Sequence, residues 1–101
     1  MVNIITVDIQ NFTYIPATVQ IAKGDAIQWR NHDSMKHNAK RETDPVFNTG
    51  LLSQGQISSP FTFDTPSGPD GYEYTCSPHP GMKGKIIVSK DKSANTYDSS
   101  V

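Results

Sequence analysis

The chain has 101 residues and a mass of 11.1 kDa, which is room for one domain with a modest core. Nine basic residues against ten acidic ones give a formal net charge of -1, which excludes the strongly basic balance of a nucleic-acid binder. No apolar run approaches the roughly 18 residues of a membrane-spanning helix, and a single cysteine excludes an internal disulfide. Met1-Val2-Asn3 leads directly into the first patterned segment, as expected of a mature domain with an added start Met or of a cytosolic protein. Ile5, Val7 and Ile9 alternate with Thr6 and Asp8, and Val19 and Ile21 alternate with Gln20 and Ala22. After the turn signal Lys23-Gly24-Asp25, Ile27 and Trp29 alternate with Gln28 and Arg30. Phe61 and Phe63 flank Thr62; Tyr72, Tyr74 and Cys76 flank Glu73 and Thr75; Ile86 and Val88 flank Ile87.

This period of two, bounded by Gly, Pro, Asn and Asp, predicts short half-buried strands paired antiparallel. Many short strands joined by turns imply an all-β sandwich or barrel. No window supports an amphipathic helix, and residues 44–56 hold a short turn at most. From Ser89 onward the chain is polar and aperiodic, which divides it into a domain over 1–89 and a flexible polar tail over 90–101.

The densest chemistry lies between Tyr72 and Met82. Cys76 closes a strand on the face shared by Tyr72 and Tyr74, His79 follows three residues later, and Met82 three after that. Pro78, Pro80 and Gly81 forbid a regular helix between them, so thiolate, imidazole and thioether turn toward one point. Soft sulfur donors with imidazole favour copper over hard cations, and two His, one Cys and a weak axial Met define the blue-copper set. The loop supplies one His, so the second comes from His32 or His37. His37 is preferred because Asn38 beside it can hydrogen-bond across to the cysteine loop; His32, in Asn31-His32-Asp33, reads as a solvated turn residue. Zinc is the chemical rival, but the chain lacks a second Cys and Met is a poor zinc ligand.

The Trp29-Arg30-Asn31 strand, the His37-Asn38 pair and the late Tyr72-x-Tyr-x-Cys-x-x-His-Pro-x-Met-x-Gly-Lys85 run resemble the cupredoxins, or blue copper proteins. The two-residue gaps around His79 are most similar to the amicyanin branch, with pseudoazurins and plastocyanins as relatives. Three stretches depart from that pattern: Ala39-Lys40-Arg41-Glu42, Lys36 where Pro is common, and the long Ser67–Gly71 turn.

The resemblance implies a Greek-key β-sandwich of about eight strands with one type 1 copper near one pole, held by His37, Cys76, His79 and Met82. It implies a monomeric one-electron carrier rather than an enzyme, working outside the cytoplasm, in a periplasm for example. Transient redox partners would dock where the His79 edge reaches the surface among Pro78, Pro80 and Gly81. The alternatives are a type 1 domain cut from a multicopper or other redox enzyme, and a copper chaperone or store. Three histidines in all and Ser77 after Cys76 weigh against the first; ligands drawn from two distant segments weigh against the second. Trp29 reads as core and Met35 as surface near the copper pole. Lys36, Lys40, Arg41, Lys83 and Lys85 form either a solvated scatter or a basic rim that steers acidic partners.

Overall fold

The structure is a computed structural model and describes residues 3–90. The expected tail from residue 91 lies outside the described residues. Nine strands follow in chain order: β1 (Ile4–Gln10), β2 (Thr13–Ile15), β3 (Thr18–Ala22), β4 (Ala26–Asn31), β5 (Lys40–Arg41), β6 (Phe47–Asn48), β7 (Phe61–Thr62), β8 (Tyr72–Thr75) and β9 (Lys83–Ser89). Among the described residues there is no helix. Every strand expected from alternation is present. Nine strands agree with the expected count of about eight; the three that alternation did not reveal are β2 and the two-residue β5 and β6, too short to show a period.

The strands form two sheets, ordered β2-β1-β4-β7 and β3-β9-β8-β5-β6. The chain crosses between them at β2–β3, β3–β4, β4–β5, β6–β7 and β7–β8, so sequence neighbours often lie in opposite layers. The antiparallel expectation needs correcting at two places: β1 pairs parallel to β4, with Ile9 opposite Asn31, and β3 pairs parallel to β9. Alternation reports which face of a strand is buried; it carries nothing about the direction of the neighbour.

Inward residues of the two sheets meet in one core that includes Val7, Ile9, Ile27 and Trp29 from the first and Ile21, Tyr74, Ile86 and Val88 from the second. Trp29 stacks on Phe47 with ring centroids 5.3 Å apart and donates its indole N–H to the Tyr74 hydroxyl at 3.2 Å. This confirms Trp29 as a core residue.

The topology gathers three connections at one pole. β1 ends opposite the end of β4, so the Asn11–Phe12 turn lies beside the loop that leaves Asn31. β8 ends where Thr75 meets Lys40, so the Cys76–Met82 connection emerges beside the far end of that same loop.

Candidate metal centre

The upstream loop is held from its root. Asn31 ends β4 facing the core, and its buried amide donates to the carbonyls of Met35 at 2.9 Å and Leu52 at 2.8 Å. Its side-chain oxygen accepts the N–H of Asp33 at 2.9 Å. Residues 31–35 are thereby wound around one side chain, and His37 is then locked to Leu52 by two backbone hydrogen bonds, 2.8 and 3.3 Å long. A fully buried imidazole is costly unless its polar atoms have partners; this loop supplies one, Asp33 at Nε2, and Nδ1 faces the downstream loop.

The downstream loop consists of two successive tight turns. The N–H of His79 bonds the Cys76 carbonyl at 3.3 Å, and the N–H of Met82 bonds the His79 carbonyl at 2.9 Å. Each turn advances three residues, which is why Cys, His and Met recur at that interval. Cys76 and His37 are fully buried, Met82 is buried, and His79 is half-buried.

The donor atoms of the two loops converge. Nδ1 of His37 and Nδ1 of His79 lie 3.2 Å apart, and the Cys76 sulfur is 3.7 Å from the first and 3.6 Å from the second. A metal bonded at about 2.0–2.1 Å to nitrogen and about 2.3 Å to sulfur, centred in a trigonal plane, separates its donors by about 3.5–3.8 Å. The two sulfur–nitrogen edges match and the nitrogen–nitrogen edge is about 0.3 Å short, a small opening for a metal of borderline to soft character; these three residues are the cluster able to hold one among the described residues. His32 lies elsewhere, its Nε2 bonded to Asp8 at 2.8 Å on an exposed flank.

Asn38 spans the two loops as its position suggests. Its side-chain oxygen accepts the Ser77 N–H at 2.7 Å, and its amide donates to the Ser77 hydroxyl at 3.1 Å and to the Asn48 side chain at 3.2 Å. Tyr14 donates its hydroxyl to the Asn38 carbonyl, so the residue is fixed from both ends.

Two residues at the centre carry no sequence signal of their own. Asp33 reads as a turn residue, yet its carboxylate lies 2.8 Å from His37 Nε2. The i, i+4 spacing of Asp33 and His37 is the only trace of this in the sequence. Burial pushes the Asp33 carboxyl up, but the N–H groups of Phe12 and Asn11 and the His37 ring outweigh it and hold it below the usual carboxylate range. Phe12 sits at the β1–β2 turn and lays its ring edge-on to both histidines, with centroids 4.9 Å from His37 and 4.8 Å from His79.

The basic residues are only partly free. Lys40 pairs with Glu42 at 2.8 Å, and Arg41 donates to the carbonyls of Glu73 and Asp44 while lying over the Tyr72 ring. Lys36 and Lys83 are exposed, as is Met35.

The chain belongs to the copper-binding proteins of the plastocyanin/azurin family, whose model matches residues 2–89. The amicyanin of Paracoccus denitrificans is 32% identical over 93 residues, covering 83% of this chain and 64% of its own length. The chloroplastic plastocyanin of Tetradesmus obliquus is 38% identical over 84 residues, covering 72% of this chain and 56% of its own length. The chain thus spans less than two thirds of these relatives. Among solved structures, a proline-to-glycine variant of amicyanin in its reduced Cu(I) form at pH 4 superposes with a TM-score of 0.75, at 29% identity, over 84% of this chain and 81% of that one.

Proposed function

We propose that the chain is a one-electron carrier, residues 1–89 forming its copper domain, with a single copper ion held by His37, Cys76, His79 and Met82. The observation that carries this reading is the buried triangle of one sulfur and two imidazole nitrogens, 3.2 to 3.7 Å on a side. Copper bound there would supply the Cu(I)/Cu(II) couple. The thiolate and imidazoles suit both oxidation states, and the Asn31 and Asn38 hydrogen bonds hold them in place before metal arrives. Met82 brings a thioether to the same loop as the weak fourth donor.

His79 is the ligand nearest the surface, which favours electron exchange along its ring edge. Around it, Pro78, Pro80, Gly81 and Phe12 are exposed. That apolar surface suits the small, transient interface of a redox encounter. Lys36 and Lys83 remain available to steer an acidic partner. The family resemblance supports a monomer working outside the cytoplasm. With His32 committed to Asp8 on the flank, a second catalytic copper would need histidines this sequence does not contain.

The visible spectrum tests the proposal. Copper-loaded protein should show a strong thiolate-to-Cu(II) charge-transfer band that a mild reductant bleaches. Cys76→Ser should abolish the band, and Met82→Gln should retain it while shifting the reduction potential. His37→Ala should remove the colour and His32→Ala should leave it. A colourless Cu(II) adduct of the unaltered protein would sink the reading.

A further inference from the structure

We infer that Asp33 is a positioning residue for the metal centre, its one carboxylate orienting the His37 ring through Nε2 and pinning the turn that lays Phe12 across both histidines. The inference rests on the metal reading above and deepens it.

Three donors converge on this carboxylate. Oδ1 accepts the Asn11 N–H at 2.8 Å, and Oδ2 accepts the Phe12 N–H at 2.9 Å and faces His37 Nε2 at 2.8 Å. The Asp33 side chain is only 13% exposed and His37 is fully buried, so the contact is shielded from competing water. Both carboxylate oxygens already accept a backbone N–H, so the group facing His37 presents acceptor atoms, and an N–H at Nε2 is the hydrogen bond they can take. In the neutral ring with its proton at Nε2 the lone pair is on Nδ1, the atom that faces Cys76 and His79. Asp33 thus selects the single tautomer of His37 that can act as a ligand from this position. A carboxylate on the far nitrogen also makes an imidazole a stronger donor, which favours the more oxidised state of a bound metal.

The turn completes the argument. Asn11 and Phe12 both adopt left-handed backbone conformations, with φ of 54° and 58°. Asn tolerates that region well, whereas a bulky residue such as Phe does so only when its surroundings hold it there. Both N–H groups of this pair end on Asp33. The ring of Phe12 is 46% exposed, so it covers the histidines rather than filling the core. It meets the two imidazoles almost symmetrically, at interplanar angles of 82° and 86°. One side chain therefore ties the orientation of His37 to the aromatic cover over both rings.

A cap that served the turn alone would leave the His37 tautomer and the metal properties unchanged, and the test exploits this. Nitrogen-15 NMR of the metal-free protein should find His37 protonated at Nε2, and Asp33→Ala should convert it to a tautomer mixture. In the copper-loaded proteins, Asp33→Ala should weaken copper binding by about 10- to 100-fold. Asp33→Asn preserves the shape and removes the charge, its single oxygen able to keep the Phe12 and His37 contacts while its NH2 gives up the Asn11 one. It keeps the inference testable if the alanine variant folds poorly, and its reduction potential should lie above that of the unaltered protein. An unchanged tautomer in Asp33→Ala, or an unchanged potential in Asp33→Asn, would overturn the positioning role. Failure of the unaltered protein to turn blue would instead condemn the copper reading, and the metal-free NMR result would still decide whether Asp33 sets the tautomer.

Discussion

Asn38 shows how much of the centre is carried by residues that are not donors. Its side chain makes three hydrogen bonds, two of them to Ser77, the residue that follows the cysteine. The upstream loop therefore grips the downstream one directly, without any metal between them. Asn38→Ala would remove the acceptor of the part-buried Ser77 N–H together with the two hydrogen bonds that the amide donates, which costs about 1–3 kcal/mol in all. Urea denaturation of the metal-free protein should show that loss. Asn38→Asp keeps the acceptor oxygen and should recover part of it, although its second oxygen then faces Asn48 Oδ1 where the amide donated. A loss confined to the copper-loaded form would mean that the clamp matters only once the metal is bound. The role was legible because His37-Asn38 places an amide one residue from a candidate ligand. The role of Asp33 was hidden because Asn31-His32-Asp33 has the composition of an ordinary turn. Its function depends on Asn11 and Phe12, more than twenty residues away and invisible to any local pattern.

At the level of strands, alternation located the buried faces correctly, since burial on one side of a pleated strand is a local property. Pairing direction is a property of two distant segments, so the parallel β1–β4 and β3–β9 pairs escaped a local reading. The same limit applies to Gly84, which reads as one more small residue in the Met82-Lys83-Gly84-Lys85 run. In the folded strand it stands opposite Tyr74, and a Cβ at Gly84 would overlap Cζ and Oη of that ring. Tyr74 has little freedom to yield. Trp29 donates to its hydroxyl, and the rings of Tyr14 and Trp29 meet it edge-on at 4.7 and 5.4 Å. A glycine inside a strand normally weakens it; here it is the space in which an aromatic ring packs on the backbone. Gly84→Ala should destabilise the protein by about 1–3 kcal/mol, the usual cost of overpacking a filled core. The exposed neighbouring substitution Lys83→Ala should stay within about 0.5 kcal/mol of the unaltered protein. Equal thermal midpoints for the two variants would show that the ring can move aside.

Across the whole molecule, two buried tyrosines link parts that the chain order keeps apart. Tyr14 of the first sheet bonds the loop carbonyl of Asn38, and Tyr74 of the second sheet accepts from Trp29 of the first. Burial lifts both phenols above the ordinary tyrosine value of 10.0; Tyr14 is lifted further by Cys76 and Tyr74, and the Trp29 hydrogen bond opposes the rise at Tyr74 only in part. The sign of the pH effect follows. In the unfolded chain these phenols lose their protons near pH 10.0, while in the folded chain they keep them. Above that pH the folded state holds more protons, so stability falls as pH rises. The contribution is fully present below the unfolded value and declines with each further unit of alkalinity. Tyr74→Phe removes one of the two groups together with the acceptor of the Trp29 indole. At neutral pH the variant should therefore be the less stable, by the usual penalty of about 1–3 kcal/mol for an unsatisfied buried donor. Above pH 10 the difference should shrink by about 1.4 kcal/mol per pH unit, because phenylalanine has no proton to lose. Urea midpoints of the metal-free proteins, compared pairwise from neutral to strongly alkaline pH, read this directly. Taking the difference between the two proteins cancels the titrations that Tyr74 does not touch, Tyr14 being the exception because Tyr74 helps to lift it. A difference that stays constant through the alkaline range would show that Tyr74 ionises as readily in the folded protein as in the unfolded one, and that the link between the sheets does not depend on its proton.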